Sequence, residues 1–352
     1  MERKLALFPM TRDQCGMVRY SSLLDGYKLS SLLIPSFLPF NNMDSSRLDG
    51  GKLTGMTITH YNADRMDSYD VIYMDYDDKH TLSLYKEVYD AHTRQDKKII
   101  LSQALSKAFD ICSKKSDDEN DMVRERLFDI PVPVITVFAQ GYKTDQFATE
   151  LGIREYFVEK GYQVSQLGSQ AASKFFNFSQ IPPFLFSDGD AYWKIIRLNH
   201  YIKTLVENEN PDLLILGAPN MIMKYNIHKL TGLGIIPLIV GDAVKSDISV
   251  VTTHHGKYDE KYFNMISSYC RYRLGCPAQF FNIANTKVES DSNDPNKALG
   301  YLTMNNDVVL QSIETGMVPD EFHAFSALDS NSINKACNLI ESVLAGNVQT
   351  LK

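Results

Sequence analysis

The stretch PVITVFAQGYKT, Pro133–Thr144, decides how this chain is read. Pro133–Phe138 is a β-branched, apolar run, the pattern of a strand covered on both faces. Beyond the turn, Asp145 stands where a helix cap belongs. Phe147, Leu151 and Val158 then recur at helical spacing, and Gly161 supplies a stop. A strand, a turn bearing Lys143-Thr144 and a helix form the layout of a phosphate-binding P-loop. In G-x-x-x-x-G-K-[ST], bare amides wrap the phosphates, the lysine reaches them and the hydroxyl holds magnesium. This turn departs from that pattern. Tyr142 stands where the second glycine belongs, the first would fall on Val137 inside the strand, and Gly141 is out of step. The loop is too short to circle a phosphate. What remains is a helix N-terminus, which favours anions. Gly141, Lys143, Thr144 and Asp145 are therefore candidate residues for an anionic ligand, a nucleotide included.

Working outward, Tyr162–Leu167, Leu213–Leu216, Ile235–Val240, Ser249–Thr253 and Gln279–Ile283 read as strands. Ser187 and Asp190 resemble a capping box opening a helix with Tyr192, Ile195, Ile196, Ile202 and Val206 on one face. A second helix turns Tyr262, Phe263, Ile266, Tyr269 and Cys270 inward and ends at Gly275. A third closes the chain from about Asn331 to Leu344, with Gly346 beyond it. The order matches that of P-loop proteins, but two signatures are altered. Asn282-Ile-Ala-Asn285-Thr-Lys287 departs from the base-reading Asn-Lys-x-Asp, and Leu213–Leu216 runs into Gly217, Ala218 and Pro219 instead of an acid. Without an acid to hold Mg²⁺, phosphoryl transfer lacks its main charge stabiliser. The reading is a nucleotide-type fold whose nucleotide chemistry has been lost or rebuilt.

The first half alternates strands (Lys4–Phe8, Tyr27–Ile34, Gly55–His60, Tyr69–Asp75, Lys98–Ser102) with helices at Met17–Leu24 and Leu82–Thr93. Such alternation implies a mainly parallel sheet whose ligands bind at the strands' carboxyl ends. Pro9 stands where a dinucleotide-binding G-x-G-x-x-G would start, so that fingerprint is missing. Arg12 and Arg19 lie near a strand end, and Arg19 is a candidate for bidentate anion binding. Asp49-Gly50-Gly51 is a tight-turn signal at the rim of the expected crevice. Asp75, Asp77 and Asp78 form an acidic loop, and His60 is a lone acid–base candidate. His254 and His255 are neighbours in an extended segment and point apart, which disfavours a shared metal. The aromatic run Phe175–Phe186 reads as a loop packed over the core, with a peptide-binding wall as its functional alternative.

The least apolar internal stretch, SKKSDDENDMVRER at Ser113–Arg126, has little apolar surface to offset its ordering entropy. The expected organisation is α/β throughout: a Rossmann-like domain at 1–112, a charged linker at 113–130, and a degenerate P-loop-like domain at 131–352, each three-layered with a mainly parallel sheet. A length of 352 residues suits two domains. With 44% hydrophobic and 22% charged residues, the composition excludes disordered and fibrous classes. A net charge of −7 weighs against nucleic-acid and anionic-membrane partners. Five scattered cysteines without a C-x-x-C argue against disulfide, zinc-knuckle and iron–sulfur frameworks. Leu5–Met10 is too short, and too soon broken by Pro9, for a signal peptide, so a cytoplasmic chain without a membrane span or metal is expected.

Several stretches together resemble the peptide-maturation-system proteins of clostridia and their relatives. They are FPMTRDQCGMVRYSSLLDGY (Phe8–Tyr27), LDGGK (Leu48–Lys52), YDVIYMD (Tyr69–Asp75), LGIREYFVEKGYQVSQLGS (Leu151–Ser169), PPFLFSD (Pro182–Asp188) and PDLLILGAP (Pro211–Pro219). The resemblance implies an accessory role in making a ribosomally synthesised, post-translationally modified peptide. Its implied partners are a Cys-rich precursor peptide and a radical SAM maturase, bound in a groove between the domains. It implies no assigned catalytic residue. Two alternatives stand beside it: a nucleotide- or phosphate-dependent enzyme using the Gly141–Asp145 turn, and a non-catalytic scaffold that forms a homo-oligomer.

Overall fold

A computed structural model of the chain describes residues 2–76, 80–110, 125–289, 297 and 299–349. The described residues form two compact α/β units. The first holds residues up to 110 except 50–52, together with 174–177; the second holds 50–52 and the described residues from 125 onward except 174–177. The division is therefore not a single cut, because each unit takes a short segment from the other half of the sequence. Residues 111–124, which include 113–124 of the charged linker, lie outside the described residues.

In the first unit the elements run β1 (Arg3–Phe8), α1 (Cys15–Arg19), β2 (Tyr27–Ile34), β3 (Met43–Asp44), α2 (Ser46–Asp49), β4 (Thr57–His60), β5 (Val71–Met74), α3 (Leu82–Arg94), β6 (Lys98–Leu101) and α4 (Gln103–Ala108). The strand order is β3-β4-β2-β1-β5-β6, parallel except for β3. Leu5–Phe8 of β1 and Val71–Met74 of β5 are buried on both sides, as central parallel strands must be. Ala6, Phe8, Ile72, Met74, Tyr85 and Val88 share one core. The chain fills the sheet on one side of β1 and then crosses to the other with β5. That reversal defines a crevice at the carboxyl ends of β1 and β5. The helix expected at Met17–Leu24 is broken: α1 stops at Arg19 and a 3₁₀ turn covers Ser21–Leu23.

The second unit continues with β7 (Val134–Ala139), α5 (Gln146–Glu159), β8 (Val164–Gly168), β9 (Ser179–Gln180), α6 (Ala191–Glu209), β10 (Leu213–Met221), α7 (Ile235–Ala243), β11 (Ile248–His254) and α8 (Glu260–Leu274). Then come β12 (Ala278–Ala284), β13 (Thr286–Val288), β14 (Tyr301–Thr303), α9 (Asn306–Glu314), β15 (His323–Phe325) and α10 (Ser330–Gln349). Its sheet, β15-β12-β11-β7-β10-β8-β9, is parallel throughout, while β13 and β14 pair antiparallel beside it. Strand order reverses at β7, so the turn after β7 emerges at the sheet's switch point.

Several local expectations are corrected. Ile235–Val240 reads as a strand but begins α7, which buries Ile236, Ile239, Val240 and Ala243. A short, wholly apolar run fits either conformation, and tertiary packing decides. Asp145 occupies the N-cap of α5 in a left-handed conformation and makes no capping hydrogen bond with its side chain. Val158 is exposed. Asp190, rather than Ser187, caps α6 by accepting from the Tyr192 amide. Gly346 lies inside α10. Among the described residues no helix is long and apolar enough to cross a membrane.

Candidate functional site

The turn from Gly141 to Asp145 is held from within. Lys143 and Asp145 both adopt left-handed backbone, with φ of 60° and 59°, conformations that non-glycine residues hold only where their surroundings enforce them. Here three carbonyls are gripped by side chains. Thr144 Oγ1 donates to the Gly141 carbonyl at 2.9 Å, Thr286 Oγ1 to Lys143 O at 2.8 Å, and Asn282 Nδ2 to Thr144 O at 2.9 Å. Asn282 Oδ1 also accepts from the Ala327 amide at 2.7 Å. From the first turn of α5, Gln146 Nε2 reaches back to Val137 O and Ala218 O at 2.9 and 2.7 Å. Proton counting fixes the rest. Thr144's one hydroxyl proton goes to Gly141, so Thr252 Oγ1, 2.7 Å away, is the donor to it. Thr286's proton goes to Lys143, so His254 Nδ1, 2.9 Å away, donates to Thr286. A neutral His254 therefore carries its lone pair on Nε2, the atom that closes on Gly141: a β-carbon there would meet it at 2.3 Å.

This arrangement does not fit a magnesium–nucleotide. The hydroxyl that would hold the metal, on Thr144, is 1% exposed and engaged inside the protein. After the apolar start of β10 come Gly217, Ala218 and Pro219, with no carboxylate. The carboxylate packed against Gly217 is Glu150 of α5, which is completely buried. Its Oε2 accepts from the Ser169 amide at 3.1 Å, and its Oε1 has no hydrogen-bond partner. Burial raises its pKa to about 8, with Ser169 and Gln166 pulling the other way. A carboxyl that favours its neutral form is poorly suited to binding a cation. The Asn282–Lys287 segment reads no base either: Asn282 and Thr286 are the clamps that hold the turn.

Gly50 meets the same support. Gly50 has φ of 70°, and a β-carbon on it would lie 2.1 Å from Met304 O. Its carbonyl accepts from the Asn306 amide at 2.8 Å, and Asn285 Nδ2 donates to Met304 O at 2.6 Å. Lys52 pairs with Asp329 at 2.6 Å. Asn285 and Thr286 thus brace the two glycine turns side by side. Arg19 and Asp49 belong to the first unit. In the first unit they form a two-pronged ion pair, Nε–Oδ2 at 2.6 Å and Nη2–Oδ1 at 2.7 Å. Arg12 Nη1 adds a bond to Asp49 O at 3.1 Å. Burial opposes the Arg19 charge, but Asp49 outweighs it and the guanidinium pKa is raised. Arg19's fork is therefore occupied by the protein's own carboxylate.

A second polar group gathers at the crevice of the first unit. Asp75 follows β5, with its amide on Phe8 O at 3.0 Å. Ser102 follows β6, with its amide on Met74 O at 2.8 Å. Gln14 comes from the loop after β1, is 2% exposed and is directed at the Asp75 carboxyl. Burial raises the Asp75 pKa and Asp13 adds to the rise, while Ser102, the Tyr76 amide and Gln14 oppose it. Lys174 Nζ lies 3.4 Å from Leu101 O and 5.7 Å from the Tyr73 ring centroid. Desolvation lowers the Lys174 pKa, and Asp75 pulls it back. Linked titratable groups at a strand-order reversal mark a functional candidate. Sequence reasoning singled out Asp75 as part of an acidic loop but missed Gln14, Ser102 and Lys174. The available signal was that PMTRDQ and YMD both end strands meeting at the reversal.

The remaining candidates have structural partners. His60 Nε2 lies 3.0 Å from Leu38 O, and His255 Nε2 lies 3.0 Å from Ser312 Oγ. Phe175, Phe176 and Phe178 are buried, as a packed segment requires. Cys15, Cys270, Cys276 and Cys337 are buried, and none of them forms a disulfide among the described residues. Asp77, Asp78 and Cys112 lie outside the described residues. Among the described residues, no group of three or more His, Cys, Asp or Glu side chains is arranged to hold a metal.

No protein-family model matches this chain, and no curated protein does. Among solved structures, a DUF1611 family protein of Anabaena variabilis matches with a TM-score of 0.55 and 8% identity, over 96% of this chain and 100% of that one. A pseudomurein peptide ligase type C from Methanothermus fervidus matches with a TM-score of 0.26 and 8% identity, over 75% of this chain and 40% of its own. A GTPase from Pyrococcus abyssi in its apo form matches with a TM-score of 0.32 and 10% identity, over 60% and 96%. The first likeness covers nearly the whole chain, and it is a likeness of fold.

Proposed function

We propose that this chain is a cytoplasmic accessory protein in the maturation of a ribosomally synthesised, post-translationally modified peptide. Its primary partner is the precursor peptide, and the radical SAM maturase is the second. One observation supports this reading above the others: the first-half stretches that resemble the peptide-maturation family supply the polar groups of the first unit. Phe8–Tyr27 contributes Arg12, Gln14 and Arg19, Leu48–Lys52 contributes Asp49, and Tyr69–Asp75 contributes Asp75. Gln14 and Asp75 stand at the carboxyl ends of β1 and β5, where open parallel sheets bind their ligands. The test is co-purification of this chain with the short Cys-rich precursor and the radical SAM enzyme encoded beside it. Failure of both to associate at micromolar concentration would overturn the reading.

A second reading, a phosphate-bearing ligand at Gly141–Asp145, draws on Lys143 standing just before the N-terminus of the fourteen-residue helix α5. The inward-turned Thr144 hydroxyl counts against it. Thermal shift with ATP, GTP and Mg²⁺ separates the two readings. A ligand at 100 times its dissociation constant adds about 2.7 kcal/mol of stability, and a shift that Lys143→Ala abolishes would favour the second.

A further inference from the structure

Helices α7 and α8 of the second unit turn apolar side chains toward solvent. We propose that they form the interface of a two-fold homodimer, in which Tyr272 of each copy enters the groove of the other. The groove lies between the two helices, is open to solvent and has a volume of about 480 Å³. On α7, Ile235, Leu238 and Asp242 recur at helical spacing, and on α8 Met265, Tyr269 and Tyr272 do the same. Met265 is 52% exposed and Tyr272 85%. A tyrosine standing that far out of a helix leaves its ring in water within its own chain. Burying an aromatic ring is strongly favourable, and tyrosine and arginine are the side chains that anchor interfaces most often.

Charge and shape select a second copy as the occupant. A two-fold interface complements itself, so one face must carry both halves of every contact. This face does. Asp242 on α7 and Arg273 on α8 both line the groove and attract each other across it. Both are exposed, and no ion pair closes between them among the described residues. Arg273 also meets the Tyr269 hydroxyl, whose proton goes to Ile222 O at 2.6 Å, and the five N–H groups of a guanidinium leave donors to spare. Antiparallel docking sets Asp242 against Arg273 of the partner subunit, and the reverse. The acid and the base cancel locally, so the net charge of −7 on the chain does not repel a copy at this face. The groove takes an aromatic knob, and the chain carries one at its lip. The fifteen residues of α8 run about 22 Å, and two helix widths of about 10 Å give at most about 450 Å² per copy. That is short of the roughly 800 Å² of a standard interface, so the dimer is expected to be weak and concentration-dependent. This inference does not rest on the maturation reading.

The experiment is sedimentation velocity of the full chain across concentrations from about 1 to about 300 μM, a span that covers weak interfaces. The wild type is expected to pass from monomer to dimer within that range. Tyr272→Ser is expected to weaken the dimer about tenfold or more. Asp242→Arg and Arg273→Asp each set like charges against one another in both symmetry-related contacts, and each is expected to be monomeric alone. Mixed in equal amounts, these two variants restore both opposite-charge contacts and are expected to dimerise. That rescue separates a contact between copies from a merely structural role, and it still reports if Tyr272→Ser fails to fold by circular dichroism. A dimer unaffected by all three substitutions, or reversed-charge variants that stay monomeric when mixed, would overturn the proposal. So would a wild type that stays monomeric throughout, which would leave the groove to a helix of another protein.

Discussion

Glu150 closes its carboxyl against the α-carbon of Gly217, so tightly that a β-carbon at 217 would lie 2.3 Å from the carboxyl carbon. A fully buried acid and a residue with no side chain are therefore a matched pair. Gly217→Ala is expected to lower stability by about 1–3 kcal/mol through overpacking, read as a reduced urea midpoint at unchanged slope. In a Glu150→Ala background the same change is expected to cost far less, because the obstructing carboxyl is gone.

The same carboxyl sets a pH dependence. Burial raises its pKa from 4.5 to about 8, so the folded state holds its proton more tightly than the unfolded chain does. Its stabilising contribution is fully present below about pH 4.5 and is lost as pH rises through about 8. Across that window the linkage amounts to about 5 kcal/mol. Glu150→Gln is expected to flatten the decline and to be the more stable protein above pH 8, as measured by denaturation from pH 5 to 9.

Arg19 and Asp49 form a pair with little contact with water: their side chains are 11% and 1% exposed. Removing either partner by alanine substitution strands the other charge and is expected to cost about 3–5 kcal/mol. Arg19→Lys keeps the charge but loses the fork, and is expected to recover less than half of that. Chemical denaturation of the three variants decides the matter, and a loss below 1 kcal/mol for Asp49→Ala would contradict the geometry.

Thr286 couples the turn to His254. Thr286→Val removes the donor to Lys143 O and the acceptor for His254 Nδ1 together, and is expected to destabilise by about 1–3 kcal/mol. Nitrogen-15 NMR of the wild type is expected to show neutral His254 protonated on Nδ1. The Nε2-protonated form would mean that the Thr286 proton points elsewhere.

Much of the fold was legible where local pattern and tertiary demand agree. β2 spans Tyr27–Ile34 as read from the sequence, and α8 ends at Gly275, whose φ of 83° suits a left-handed stop. Legibility failed where a short segment is apolar on every side. Ile235–Val240 fits a strand by composition, yet it starts a helix whose Gly241 comes close to the backbone of Leu274. The site was harder still. The departures of Tyr142 and Pro219 from a P-loop are visible in sequence, but the burial of Thr144 against Thr252 depends on residues far apart in the chain. Gln14 carries no motif at all; only folding reveals that its buried amide meets the Asp75 carboxyl.

The exchange of short segments between the two units has a genetic consequence. Because residues 50–52 belong with the later sheet and 174–177 with the earlier one, splitting the gene at its charged middle would deliver two incomplete proteins. Expressing either half alone would leave out a segment that packs with it.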